Sequence, residues 1–191
     1  MPGVDDLPRL EITSRAAWRS WLEAHHAEAE GIWLVLFKKH VGEGYVPWGD
    51  LVREALCFGW IDARTRSVDA DRTSLLVVPR KPGSTWSAVN KRHIEELEAA
   101  GAMTPAGRAL IDAAKADGSW TFLDDIEALI EPDDLRAALD DEPSCREAWD
   151  GTAPSRRKLA LFSLKSAKRA ATRDKRREAI LDRLRRGEPA A

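Results

Sequence analysis

The sequence predicts an α+β fold: a small antiparallel sheet of about three strands packed by N-terminal helices, then a helical C-terminal part of about five helices. Three observations predict it. Residues 32–39 (IWLVLFKK) are apolar almost throughout, which makes them a central strand. Residues 60–79 hold two β-prone runs around a short turn-rich segment. Beyond them the chain is paced by helix signals at Ser84, Gly101, Thr104-Pro105, Gly118, Pro132, Pro143 and Pro154.

Taken in order, residues 1–12 (MPGVDDLPRLEI) read as a loose lead-in, acidic and without the apolar stretch of a signal peptide. Thr13 or Ser14 caps a helix to about His26, with Trp18, Trp21 and Leu22 on one face. His25 and His26 stand at its C-terminal end, where a cation is favoured, and adjacent helical residues do not face one metal. Gly31 breaks the chain before the strand at 32–39, and residues 41–47 form a loop. Residues 48–58 form an amphipathic helix with Leu51, Val52, Ala55 and Leu56 inward.

Residues 60–68 and 73–79 form a hairpin across Asp69-Ala70-Asp71-Arg72, and Pro79 ends its ladder. Strict alternation puts Asp62, Arg64 and Arg66 on one face. Ser84 caps a helix from about Thr85 to Ala99, with Trp86, Ser87 and Asn90 in its first turns. Pro105 to Gly118 bound the next helix, and Trp120 and Phe122 lean back on the domain. Helices opening at Pro132, Pro143 and Pro154 and a last one capped by Thr172 complete the chain. The boundary falls at about residue 122, giving an α+β domain over 1–122 and a helical module over 123–191.

Chemistry concentrates at residues 57–91. Trp60, Asp62, Arg66, Arg80, Trp86 and Asn90 lie within one hairpin and one helix start and form the candidate ligand-binding set. Arginines clamp carboxylate or phosphate bidentately, and a helix start offers free N–H groups, so a small anionic ligand or a peptide is the expected partner. The competing reading is architectural: Asp62 pairs with a neighbouring arginine, and Trp60 and Trp86 are core. Asp62 could also act as an acid/base, but no second catalytic group stands at a recognisable spacing. Cys57 lies at a helix C-terminus, where the dipole opposes a thiolate. No phosphate loop, HExxH, CxxC or GxSxG occurs, so neither cofactor nor metal is expected.

Several runs carry a resemblance: ALCFGWID at 55–62, PRKPGSTWSAVN at 79–90, GAMTPAGRALIDAAKADGSW at 101–120, then PDDLRAALDDEPSCREAWDG and APSRRKLALFSLKSAKRAATRDKRREAI. They resemble the bacteriocin-protection, YdeI/OmpD-associated family from about Ser14 to Leu184. The resemblance implies a bacterial stress-protection protein without a catalytic motif to carry over. Where that family often has Gly after the GWID aspartate, this chain has Ala63, so a glycine-only turn is not required.

The chain has 191 residues, a net charge of −2, eight Trp and two distant cysteines, Cys57 and Cys145, which fit a reducing, cytoplasmic setting. No apolar run has the ~20 residues of a membrane span. Charge is segregated: residues 93–150 carry 16 acidic and 4 basic side chains, and residues 155–187 carry 13 basic and 3 acidic. The simplest account is that the two blocks pack together. The alternative is a nucleic-acid surface of Lys165, Lys168, Arg169, Arg173 and Arg176, disfavoured because no aromatic is interleaved for base stacking. A protein partner is a further alternative.

Overall fold

The structure, a computed structural model, describes residues 3–191. The chain divides into two compact units, one ending at Trp120 and one spanning Thr121–Ala191. The first holds strands β1 (Arg9–Ile12), β2 (Ile32–Phe37), β3 (Trp60–Ser67) and β4 (Arg72–Pro79) and helices α1 (Arg15–His25), α2 (Trp48–Cys57), α3 (Ala88–Ala99) and α4 (Pro105–Asp117). The second holds α5 (Asp124–Glu127), α6 (Asp133–Asp140), α7 (Pro143–Asp150), α8 (Pro154–Lys165) and α9 (Ala170–Arg185). The α+β expectation holds, with one correction. The sheet has four strands in the order β1-β2-β4-β3 and is mixed, because β1 pairs parallel with β2. The segment expected as a loose lead-in supplies that strand, and α1 is the crossover that parallel pairing needs.

One sheet face carries the main core. Leu34, Leu75 and Val77 pack with Trp18, Leu22, Leu51, Leu56, Trp60 and Ile94 from the helices and β3. The other face buries Trp33 and Leu76, opposed across β2 and β4. There Trp33 Nε1 donates to the Val4 carbonyl at 2.9 Å. Helices α1 and α2 are tied by Glu54, only 2% exposed. Its two carboxylate oxygens accept from Arg15 Nε at 2.5 Å and Arg19 Nη1 at 2.8 Å. A buried carboxylate is tolerable on those terms.

Ser14 caps α1 and Thr104 caps α4, as the sequence signals say. Two caps differ. Ser87, not Ser84, caps α3 by accepting from Asn90 N–H, because Ser84 Oγ is spent on the Lys81 carbonyl at 2.6 Å. The last helix starts at Ala170 rather than Thr172. Helix α4 sits hard against the α2–β3 turn. Thr104 Oγ1 donates to the Cys57 carbonyl at 2.6 Å, and a Cβ on Gly107 would strike that same carbonyl.

In the second unit, Leu135, Leu139, Cys145, Trp149, Leu161, Leu164, Ile180 and Leu181 form a separate core. Charged pairs surround it, two of them between the acidic and basic blocks and one within the acidic block. Arg173 holds Asp134 through two bonds of 2.7 Å, Arg146 and Trp149 hold Glu131, and Arg185 holds Glu142. Among the described residues no helix is long and apolar enough to cross a membrane.

Gly107→Ala should lower stability by about 1–3 kcal/mol through overpacking, read by urea unfolding. A neutral outcome would mean that α4 stands off the turn. The second unit should be acid-sensitive. Arg185 hydrogen bonds hold Glu142 down to about 2, and Arg173 lowers Asp134. Depressed carboxylates stabilise above their unfolded values and lose that contribution as pH falls toward the folded ones. Loss of far-UV signal should therefore set in between about pH 4 and pH 2, and at higher pH in Asp134→Asn.

Candidate functional site

Side chains directly opposite in an antiparallel pair share a sheet face, and each strand alternates faces. Asp62 opposes Val77, whose side chain lies in the main core. Arg64 opposes Leu76, and Arg66 opposes Ser74, on the other face. The register shifts between Asp62 and Arg64, so Ala63 is the extra residue of a β-bulge. Strict alternation therefore fails at Ala63. Asp62 keeps the helix-packed face and the two arginines are turned away from it. Ala63 itself does so without positive φ.

The consequences for the candidate residues are direct. Asp62 and Asn90 come together. They line a recess of about 320 Å³ with Trp48 and Val52 of α2, Ser87 before α3 and Val89 and His93 on it. Asp62 is half-buried, and no hydrogen bond or ion pair is found at its carboxylate among the described residues. Trp48 and Val89 form the rim, 39% and 55% exposed. His93 Nδ1 is buried without a hydrogen bond, 3.6 Å from Glu96 Oε2. Ser87 Oγ is occupied as the α3 cap. No hydrogen bond links Asp62, His93 and Ser87 in a relay among the described residues.

The other four residues lie elsewhere. Trp60 is in the core, edge-on to Trp21, with its Nε1 donating to the His26 carbonyl at 3.2 Å. Arg66 pairs with Asp5 and lies over the Trp33 ring, 4.7 Å from its centroid. Arg80 is 5% exposed and stacks on the buried Trp86 at 3.6 Å. Its Nη1 donates to the Thr85 carbonyl at 3.1 Å, while Nε and Nη2 have no protein partner. Burial pushes Arg80 down to about 10, with the charge of Asp62 opposing. Beside it a cavity of about 40 Å³ lies under the Lys81–Ser84 loop, room for water rather than a metabolite. Burial, then the charge of Glu54, raises Cys57, the opposite of what a nucleophile needs.

The basic stretch is largely engaged. Lys165 meets Asp125 at 2.9 Å, Arg173 grips Asp134, and Arg176 donates to the Ser163 carbonyl at 2.6 Å. Lys168 and Arg169 are exposed. Among the described residues no group of three or more His, Cys, Asp or Glu could hold a metal.

Sequence reasoning missed Trp48, and it weighed His93 only as a candidate base and set it aside among the charges of its helix. A signal existed for His93, three residues after Asn90 and so on the same helical face. Trp48 opens an amphipathic helix, but its rim position depends on how α2 meets β3.

Residues 10–110 match a family described as a domain of unknown function (DUF8412). Residues 128–187 match the family described as bacteriocin-protection, YdeI or OmpD-associated. The second match is narrower than the resemblance expected from the sequence, and the runs at 55–62 and 79–90 fall under the first. No curated protein and no solved structure matches the chain.

Trp86→Ala should cost about 3–5 kcal/mol in urea unfolding, as core truncations of large aromatics do. A loss under about 1 kcal/mol would show that the Arg80–Trp86 stack is not part of the core.

Proposed function

The chain belongs to the DUF8412 family and carries a bacteriocin-protection, YdeI or OmpD-associated segment, and from that premise we propose that it is a protection-type binding protein. Its ligand, a small molecule or peptide group, enters the recess between α2, β3 and α3. One observation carries this reading: among the described residues the half-buried Asp62 carboxylate has no hydrogen-bond or ion-pair partner, in a recess rimmed by an exposed Trp48. A carboxylate that faces a concave recess and is not spent on its own chain keeps its acceptor oxygens for a bound group. Asn90 adds a donor and an acceptor. The site is narrower than the Trp/Arg/Asp cluster, because Arg66 lies on the other sheet face and Arg80 is walled in. Binding is preferred to catalysis by Asp62 because the described residues place no hydrogen-bonded acid–base pair in the recess.

A thermal-shift screen of small amines, anions, nucleotides, sugars and short peptides tests the reading. A ligand at 100 times its Kd adds about 2.7 kcal/mol to stability. A hit should be lost in Trp48→Ala and Asp62→Asn and kept in Arg66→Ala. Hits that survive both recess variants would contradict it.

A further inference from the structure

The recess selects its ligand by charge. We infer that it takes an alkylammonium or guanidinium group, held by Asp62 against the Trp48 ring. This rests on the recess being the binding site. Among the described residues its lining holds one carboxylate, Asp62, and neither lysine nor arginine. A half-buried carboxylate with no donor among the described residues is completed by an N–H-bearing cation, and charge-assisted bonds of that kind are the stronger ones. An anion in the same place would face Asp62 unpaired.

The Ala63 bulge supports the assignment independently. In unbroken alternation Arg64 would stand two residues from Asp62 on the same face and could pair with it. The extra residue moves Arg64 and Arg66 across the sheet, where Arg66 pairs with Asp5. Bulges recur beside functional sites, where they re-aim a side chain. Arg80 acts on Asp62 through space only, since its guanidinium lies on Trp86 and donates to Thr85. The exposed Trp48 supplies the second half of a cation site, because the face of an indole attracts ammonium and guanidinium ions. Asn90 Oδ1 offers a further acceptor for a second N–H. The first turn of α3 borders the recess, but its Asn90 N–H is already taken by Ser87 Oγ.

Amide and indole ¹H–¹⁵N spectra of the full chain test the inference. The probes are n-propylammonium, methylguanidinium, Nα-acetyl-lysine amide, n-propanol, acetate and phosphate. The cations should shift the Trp48 indole and the Asp62 and Asn90 resonances saturably, more weakly as salt is raised. Asp62→Asn should weaken them about ten-fold or more with unchanged Tm, and Glu147→Gln, an exposed acid of the second unit, should not. Tighter binding of the lysine amide than of propylammonium would point to a peptide side chain, and the reverse to a free amine; both support the cation site. Saturable shifts of the same resonances by acetate, phosphate or propanol, with none from the cations, would overturn the charge assignment and leave the binding site standing. Silence from every probe, joined to a screen without hits in the recess, would overturn both.

Discussion

A β-strand alternates its side chains with a period of two, and one extra residue reverses everything beyond it. That constraint decides the chemistry of this protein at Ala63. Upstream of the bulge, Trp60 enters the core and Asp62 faces the recess. Downstream, Arg64 and Arg66 belong to the opposite face, over Leu76 and Trp33. Edge position makes this possible, since among the described residues β3 pairs with β4 alone and can bend without disturbing a second ladder. Close packing fixes where the strand begins. Gly59 has φ +74, and a Cβ there would strike Leu110 of α4, so the turn out of α2 is set by contact as well as by backbone freedom.

Three charged side chains in this unit illustrate three ways of living away from water. Glu54 is buried with both oxygens paired to arginines, and it ties α1 to α2. Arg80 is buried with one hydrogen bond and an aromatic plate, and its depressed value records the cost. Asp62 is half-buried with neither among the described residues. The first two are explained by the fold that they support. The third is not, and its carboxylate lines the recess. In the second unit the charge blocks resolve into specific pairs, with Asp134 held by Arg173 and Arg177 and Glu142 by Arg185.

Much of the architecture was legible. The apolar run of β2, the hairpin, and the caps at Ser14 and Thr104-Pro105 follow from local chemistry that tertiary packing did not override. Strand β1 was not read, because four residues next to a proline carry little periodic signal and its partner lies a whole helix away. Ser84 and Ser87 are equally good caps by type, and only the Lys81 carbonyl decides between them. Of the site, Asp62 was legible as a polar residue of the hairpin and Asn90 as one in the first turn of a helix. The bulge was not, since Ala63 has ordinary backbone angles and no composition that marks an inserted residue. Every error about Arg66 follows from that one missing residue in the count.

The register across the β3–β4 hairpin is therefore the quantity to measure first, by backbone NOEs in the labelled protein. The account predicts cross-strand contacts of Asp62 with Val77 and of Arg64 with Leu76, with Ala63 looped out between them. An unbroken ladder in which Ala63 opposes Leu76 and Arg64 opposes Leu75 would contradict it. Arg64 would then share the face of Asp62, and the carboxylate would no longer be left for a ligand.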